Sequence, residues 1–252
     1  MFRISYKDIT LFSIVGVMAL VIINLIWQNN IIVTSITTVL GAILASVIIS
    51  MIYQNSLHDS FQTYKKIGLR NTFKNFEEAF DDIKKDIGKC KKADIFFMFG
   101  SSFINSSSSY IKDALSNKSA KVRFFIFDEN NPFIEAYGSQ WSKDGEKYNA
   151  EGIKKSIKES IANIQKIYET IDEEERGTLE IHKIKVSSLS YSFYKIDNKL
   201  YYVPSKLTTS KLFKHPVFLF EKSDDRRNLY NSIENEIDLM IDDQEIIKIY
   251  PK

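Results

Sequence analysis

Cysteine is almost absent: Cys90 is the only one in 252 residues, so no disulfide forms within the chain and the fold must hold by packing. Cys90 itself reads as a buried helix residue, not a reactive thiol. Histidine is nearly as scarce. His58, His182 and His215 are far apart and, with one cysteine, give no zinc-ligand spacing, so neither metal nor cofactor is expected. The chain has no P-loop, no G-x-G-x-x-G and no G-x-S-x-G, which removes phosphate-cradling, dinucleotide-binding and serine-hydrolase motifs. An excess of one charge is missing too. Lys and Arg number 34 against 32 Asp and Glu, a formal net charge of +2, and this balance gives no reason to expect a nucleic-acid partner.

The last absence is local: residues 9–58 contain no Asp, Glu, Lys or Arg, although 26% of the chain is charged. Residues 9–27 and 31–53 are apolar runs of 19 and 23 residues, and about 20 helical residues cross a bilayer core. The expectation is a transmembrane hairpin over residues 1–53. Arg3 and Lys7 precede it, Lys65, Lys66, Arg70 and Lys74 follow it, and the connector Gln28-Asn29-Asn30 has no basic residue. That asymmetry predicts a multi-pass inner-membrane protein with both termini cytoplasmic and the lipid bilayer as a partner. Thr34, Thr38, Gly41 and Ala45 form a row of small residues on the second run, which allows close helix approach and predicts a homo-oligomer.

Residues 54–71 read as a linker helix and residues 72–252 as a cytoplasmic α/β domain. Phe73, Phe76, Phe80, Ile83 and Ile87 recur at helical spacing, so one face of a helix over residues 72–90 packs on an apolar partner. Residues 93–99 (ADIFFMF) and 121–127 (KVRFFIF) are short, nearly continuous apolar runs that suit strands covered on both faces. Residues 101–109 read as a serine-rich loop and residues 110–117 as a short helix. Ile153, Ile157, Ile161, Ile164, Tyr168 and Ile171 trace another helix, so the alternation predicts parallel strands with helical crossovers. Four more strands follow, over residues 178–186, 191–196, 199–203 and 217–220, with Asp197-Asn198 as a hairpin turn. A last helix covers residues 224–241.

In sheets of this kind ligands bind beyond the carboxyl ends of parallel strands. Those ends carry Gly100, Ser101 and Ser102 after the first strand and Asp128, Glu129, Asn130 and Asn131 after the second. Arg123 alternates with Val122 and Phe124 and is expected to reach solvent. His182 reads as a half-exposed strand residue.

Taken together, Ile67-Gly68-Leu69-Arg70, the Gly-Ser-Ser after an apolar strand, KVRFFIFD closing on Asp128 and the turn at Asp197 resemble the phospholipase-D-like superfamily, in particular members that have lost the active site. Active members carry His-x-Lys-x-x-x-x-Asp before such a turn. Aligning on Asp197 puts Ser190 at the His position and Ser192 at the Lys position, and a serine without an adjacent base is a poor nucleophile. The resemblance implies an α/β/α sandwich with a mixed sheet. It also implies a phosphate-bearing ligand near Gly100, Ser101, Ser102, Asp128, Asn130, Ser190, Ser192 and Asp197, with no catalytic residue. The expected role is a membrane-anchored, non-enzymatic sensor or effector, assigned to antiphage defence by analogy of architecture. The alternative is a membrane-bound phosphodiesterase with a rearranged site.

Overall fold

The computed structural model describes residues 15–16, 18–23, 26, 31–98, 100–186, 188, 191–204, 215–242 and 246–251. They fall into two compact units, Met1–Tyr64 and Lys65–Lys252. In the first, helix α1 (Ile31–Lys66) runs unbroken for 36 residues. A Cβ on Gly16 would lie 2.6 Å from Leu44 Cδ2, and one on Gly41 would lie 3.7 Å from Leu20 Cδ1, so the preceding segment runs antiparallel to α1. Thr38, Gly41 and Ala45 line a groove shared with Leu20 and Val21. The Thr34 side chain lies outside those described.

Among the described residues no helix is long and apolar enough to cross a membrane. The fold class built on two transmembrane helices, the multi-pass inner-membrane placement and the bilayer as partner are corrected accordingly. Of the first expected span only residues 15–16, 18–23 and 26 lie within the described residues. The second has no end at residue 53: the same helix continues through a polar stretch to Lys66, and Thr34, Ser35, Thr37, Thr38, Ser46 and Ser50 interrupt its apolar part. Val39, Ile43, Val47 and Ile49 are exposed on it, at 59, 56, 48 and 66%.

The second unit is an α/β fold around one mixed sheet of eight strands. They are β1 (Leu69–Phe73), β2 (Lys92–Phe97), β3 (Lys121–Phe127), β4 (Thr178–Ile184), β5 (Tyr191–Ile196), β6 (Lys199–Pro204), β7 (Val217–Glu221) and β8 (Ile246–Tyr250). Their order is β1-β7-β6-β5-β2-β3-β4-β8, with β2–β3 and β3–β4 parallel and every other neighbouring pair antiparallel. The β2–β3 crossover holds α3 (Ser101–Ser106) and α4 (Ser108–Leu115); the β3–β4 crossover holds α5 (Phe133–Trp141) and α6 (Ala150–Glu169). Residues 101–109, expected as a loop, are thus mostly helical. β1 and β8 are the strands that the sequence pattern did not separate.

Capping explains where the helices start. Asn75 accepts from Glu78 N at 3.1 Å and Glu78 Oε2 accepts from Lys74 N at 2.7 Å, a reciprocal arrangement that opens α2 (Phe76–Ile87). Asn149 does the same for α6 through Gly152 N. The alternation along each strand then fixes two sheet faces. Tyr194 meets Phe76 and Phe103 with ring centroids 5.6 and 4.7 Å apart, so α2 and α3 cover its face. Lys195 points the other way, to Glu234 on α7 (Leu229–Asp242) at 2.9 Å. The result is helix, sheet, helix.

Candidate functional site

β5 begins where β2 ends. The register pairs Phe96 with Phe193, which brings Ser192 beside the last residue of β2, Phe97. Ser192 shares the Tyr194 face, the side on which α3 opens with Ser101. Gly100 makes the turn into α3 at φ 54, and a Cβ there would sit 2.1 Å from the Phe97 ring, so only glycine fits. Ser101 is buried and Ser192 half-buried, while Ser102 is exposed. The carboxyl end of β3 adds Asp128, whose Oδ1 accepts from Asn130 N at 2.8 Å and whose N–H donates to Ile184 O at 2.9 Å. Asn130 is exposed; Asn131 is buried and donates to Ile184 O at 3.1 Å.

Lys183 completes this end of the sheet and was not among the expected site residues, because its offset from His182 does not match the motif. Its ammonium bonds Glu129 and lies 3.6 Å from Asp128 Oδ2. Burial raises the Glu129 carboxyl, but the Lys183 hydrogen bond, a backbone hydrogen bond and the Lys183 and Lys158 charges together outweigh it and hold the group below its usual value. The parallel β3–β4 register, Ile126 opposite Lys183, is what brings them together, and no local motif encodes it.

Asp197 does not join this cluster. It sits at the far end of β5 with φ 48, and its Oδ1 accepts from Lys91 N and Lys92 N at 3.0 and 2.9 Å, where β2 begins. Its role is to shape the hairpin and cap the strand entry, so the expected single cluster is split between opposite ends of the sheet. Ser190 lies outside the described residues.

The α7 face holds a row of buried charges. Asp94 accepts from Arg123 Nε at 2.6 Å and from Lys195 Nζ at 3.1 Å. Arg123, expected in solvent, is buried because β2 and β3 are central strands and its partner lies directly opposite. His182, expected half-exposed, is 5% exposed; it stacks on Phe125 with centroids 5.0 Å apart and lies 3.1 Å from Glu180 Oε2. Burial raises the Asp94 carboxyl, but Arg123 and Lys195 outweigh that and hold it low. Glu180 is likewise brought to about 2 against burial, by hydrogen bonds from Lys121, His182 and Lys248.

His182 shares the face of Phe125, Phe96 and Phe193, opposite the face of Ser192. Among the described residues no group of three His, Cys, Asp or Glu is placed to hold a metal.

No family model matches the chain. No curated protein matches it either. Among solved structures, that of TrmBL2, an archaeal chromatin protein described as showing a novel mode of DNA binding, is similar at a TM-score of 0.36. The identity is 7%, over 80% of this chain and 69% of that one. A likeness of that size carries no argument about fold or partner.

Proposed function

We propose that residues 65–252 are a non-catalytic domain of phospholipase-D-like type that recognises a phosphate-bearing ligand at the carboxyl end of β2 and β3. The observation that carries the reading is that His182 lies on the sheet face opposite Ser192, with the thickness of the sheet between them. A hydroxyl becomes a nucleophile when a base within hydrogen-bond reach takes its proton. His182 is on the other face, buried, and engaged with Glu180. Gly100, Ser101 and Ser192 remain as groups suited to phosphate oxygens, a close backbone turn and two hydroxyls, and the Lys183 ammonium lies two strands beyond β2 along the same sheet end. Binding there requires the anion to draw Lys183 partly away from Glu129.

The test uses the full chain. Thermal shift against a panel of mononucleotides and sugar phosphates is expected to show saturable stabilisation, lost in Ser192→Leu and weakened roughly tenfold in Lys183→Gln. Incubation with a generic phosphodiester is expected to leave it intact. Turnover abolished by His182→Gln would establish the enzyme instead.

A further inference from the structure

The two edges of the sheet differ in how far they are closed. β1 closes itself: Asn71 Oδ1 accepts from Thr72 N at 2.9 Å, Arg70 is paired with Glu221 at 2.7 Å, and its three exposed residues, Arg70, Asn71 and Thr72, are polar. β8 reads Ile246-Ile247-Lys248-Ile249-Tyr250, and among the described residues β4 is the one element that hydrogen-bonds its backbone. A free row of amides and carbonyls on an apolar strand is what natural sheets blunt with charge, proline or a cover. We propose that β8 is a dimer interface, pairing antiparallel with β8 of a second copy across a twofold axis near Ile247 and so joining two eight-stranded sheets.

The side chains around this edge point the same way. Among the described residues of the unit four large apolar side chains are exposed, Phe133, Val186, Leu239 and Ile247, and three of them gather here. Ile247, 41% exposed, is on β8 itself. Val186 lies two residues beyond Ile184, which pairs with Ile246. Leu239 is in the last turn of α7, which runs from Tyr230, bonded to Asp197 O at one end of the sheet, past Glu236, bonded to Tyr191 at the other, where β8 starts. The identity of the partner follows from the strand's own chemistry. An antiparallel pair is self-complementary, each strand offering the groups the other lacks, so a twofold axis satisfies two copies at once. Charge permits it as well. Lys248 is the one charged side chain on β8, and its ammonium turns back onto β4, 3.2 Å from Glu180 Oε1. The lysine that would guard an edge by repulsion is thereby neutralised within its own copy. Pairing about Ile247 sets Lys248 opposite Ile246 of the other copy and brings the two Ile247 side chains together, so apolar surface leaves water and no like charges meet.

Sedimentation velocity of the full chain between about 1 and about 100 µM, with hydrogen exchange of the peptide spanning residues 246–250, is the experiment. The expected result is a dimer with a Kd on the order of 10 µM, since one strand pair is a small interface. Ile247→Lys and Ile247→Glu are each expected to weaken it roughly tenfold and to speed exchange in that peptide, because like charges then face each other across the axis. Mixing the two variants in equal amounts restores the dimer, an outcome that a twofold pairing about this residue gives and a head-to-tail contact does not. Thr72→Lys, on the opposite edge, is expected to change neither reading. Ile247 is exposed, so its variants keep the fold, which an unaltered melting temperature checks. Self-association absent up to about 100 µM overturns the proposal. Association that both Ile247 variants leave unchanged overturns it too and moves the contact to another surface, such as the exposed apolar side of α1. Association lost in both variants and not restored by mixing them overturns the twofold pairing of β8.

Discussion

Asp94 sits at 0% exposure between Arg123 and Lys195, and it compensates both buried cations, Lys195 jointly with Glu234. Truncating one partner of such a group strands the others, so Asp94→Ala is expected to destabilise the domain by about 3–5 kcal/mol, read from urea unfolding. Replacing Asp94 and Arg123 together by apolar residues costs less than the sum of the single changes. The pH dependence follows from the same row. Burial pushes the His182 ring below its usual 6.5, with the Arg123 and Lys248 charges adding to it against the Glu180 bond. The unfolded chain then takes up a proton that the fold refuses, so stability is lost as pH falls from about 6.5 through the folded value. Asp94 and Glu180, both held low in the fold, contribute stability that is present above about pH 4 and lost as acid reaches their folded values. His182→Gln is accordingly expected to flatten the melting temperature between about pH 7 and 5.5, and to keep a loss below about pH 4, set by Asp94 and by the lysine bonds to Glu180. Cys90, at 1% exposure, has its thiol pushed up to about 12 by burial, with the Asp197 charge adding to it. It is expected to resist alkylation until the chain is unfolded, and rapid native labelling would contradict that burial.

At the scale of elements, the β5–β6 hairpin turns on Asp197, which meets two demands: a positive φ and an acceptor for the two amides that open β2. Asp197→Asn satisfies both, Asp197→Gly only the first and Asp197→Val neither. The expected cost therefore rises in that order to about 2–3 kcal/mol for valine, measured by chemical denaturation. Elements with a strong period were readable from the sequence. Ile153, Ile157 and Ile164 are buried on α6, and Ile233 and Ile237 on α7, because a 3.6-residue repeat leaves a helix one face to bury. β1 and β8 were not readable. Each has five residues, each lies at a sheet edge, and LRNTF buries only Phe73, so neither shows the alternation that marks a strand covered by a layer. Residues 101–109 misled for a different reason: serine favours loops intrinsically, and Phe103, Ile104 and Ile111 override that by packing α3 and α4 onto the core. The apolar N-terminal runs were the largest divergence, because a count of uncharged residues does not locate a helix end and α1 has none before Lys66.

For the molecule as a whole, the candidate site was legible in part. Gly100, Ser101 and Asp128 followed from the rule that strand ends gather ligands, since that rule needs only the order of elements. Asp197 was misplaced because its motif spacing is measured along one strand, and a strand of six residues carries its two ends to opposite sides of the sheet. The place of Lys183 at this strand end and the burial of Arg123 were not readable because each depends on which strands are neighbours, a property set by the topology β5-β2-β3-β4 and by no local pattern. The central claim, recognition of a phosphate-bearing ligand at that strand end without turnover, is tested most directly by hydrogen–deuterium exchange of the full chain, with and without a saturating mononucleotide. The account predicts slowed exchange in peptides spanning residues 98–103, 128–131 and 191–193, with the nucleotide recovered unchanged. Unaltered exchange in all three peptides at saturation, or a nucleotide recovered hydrolysed, would contradict it.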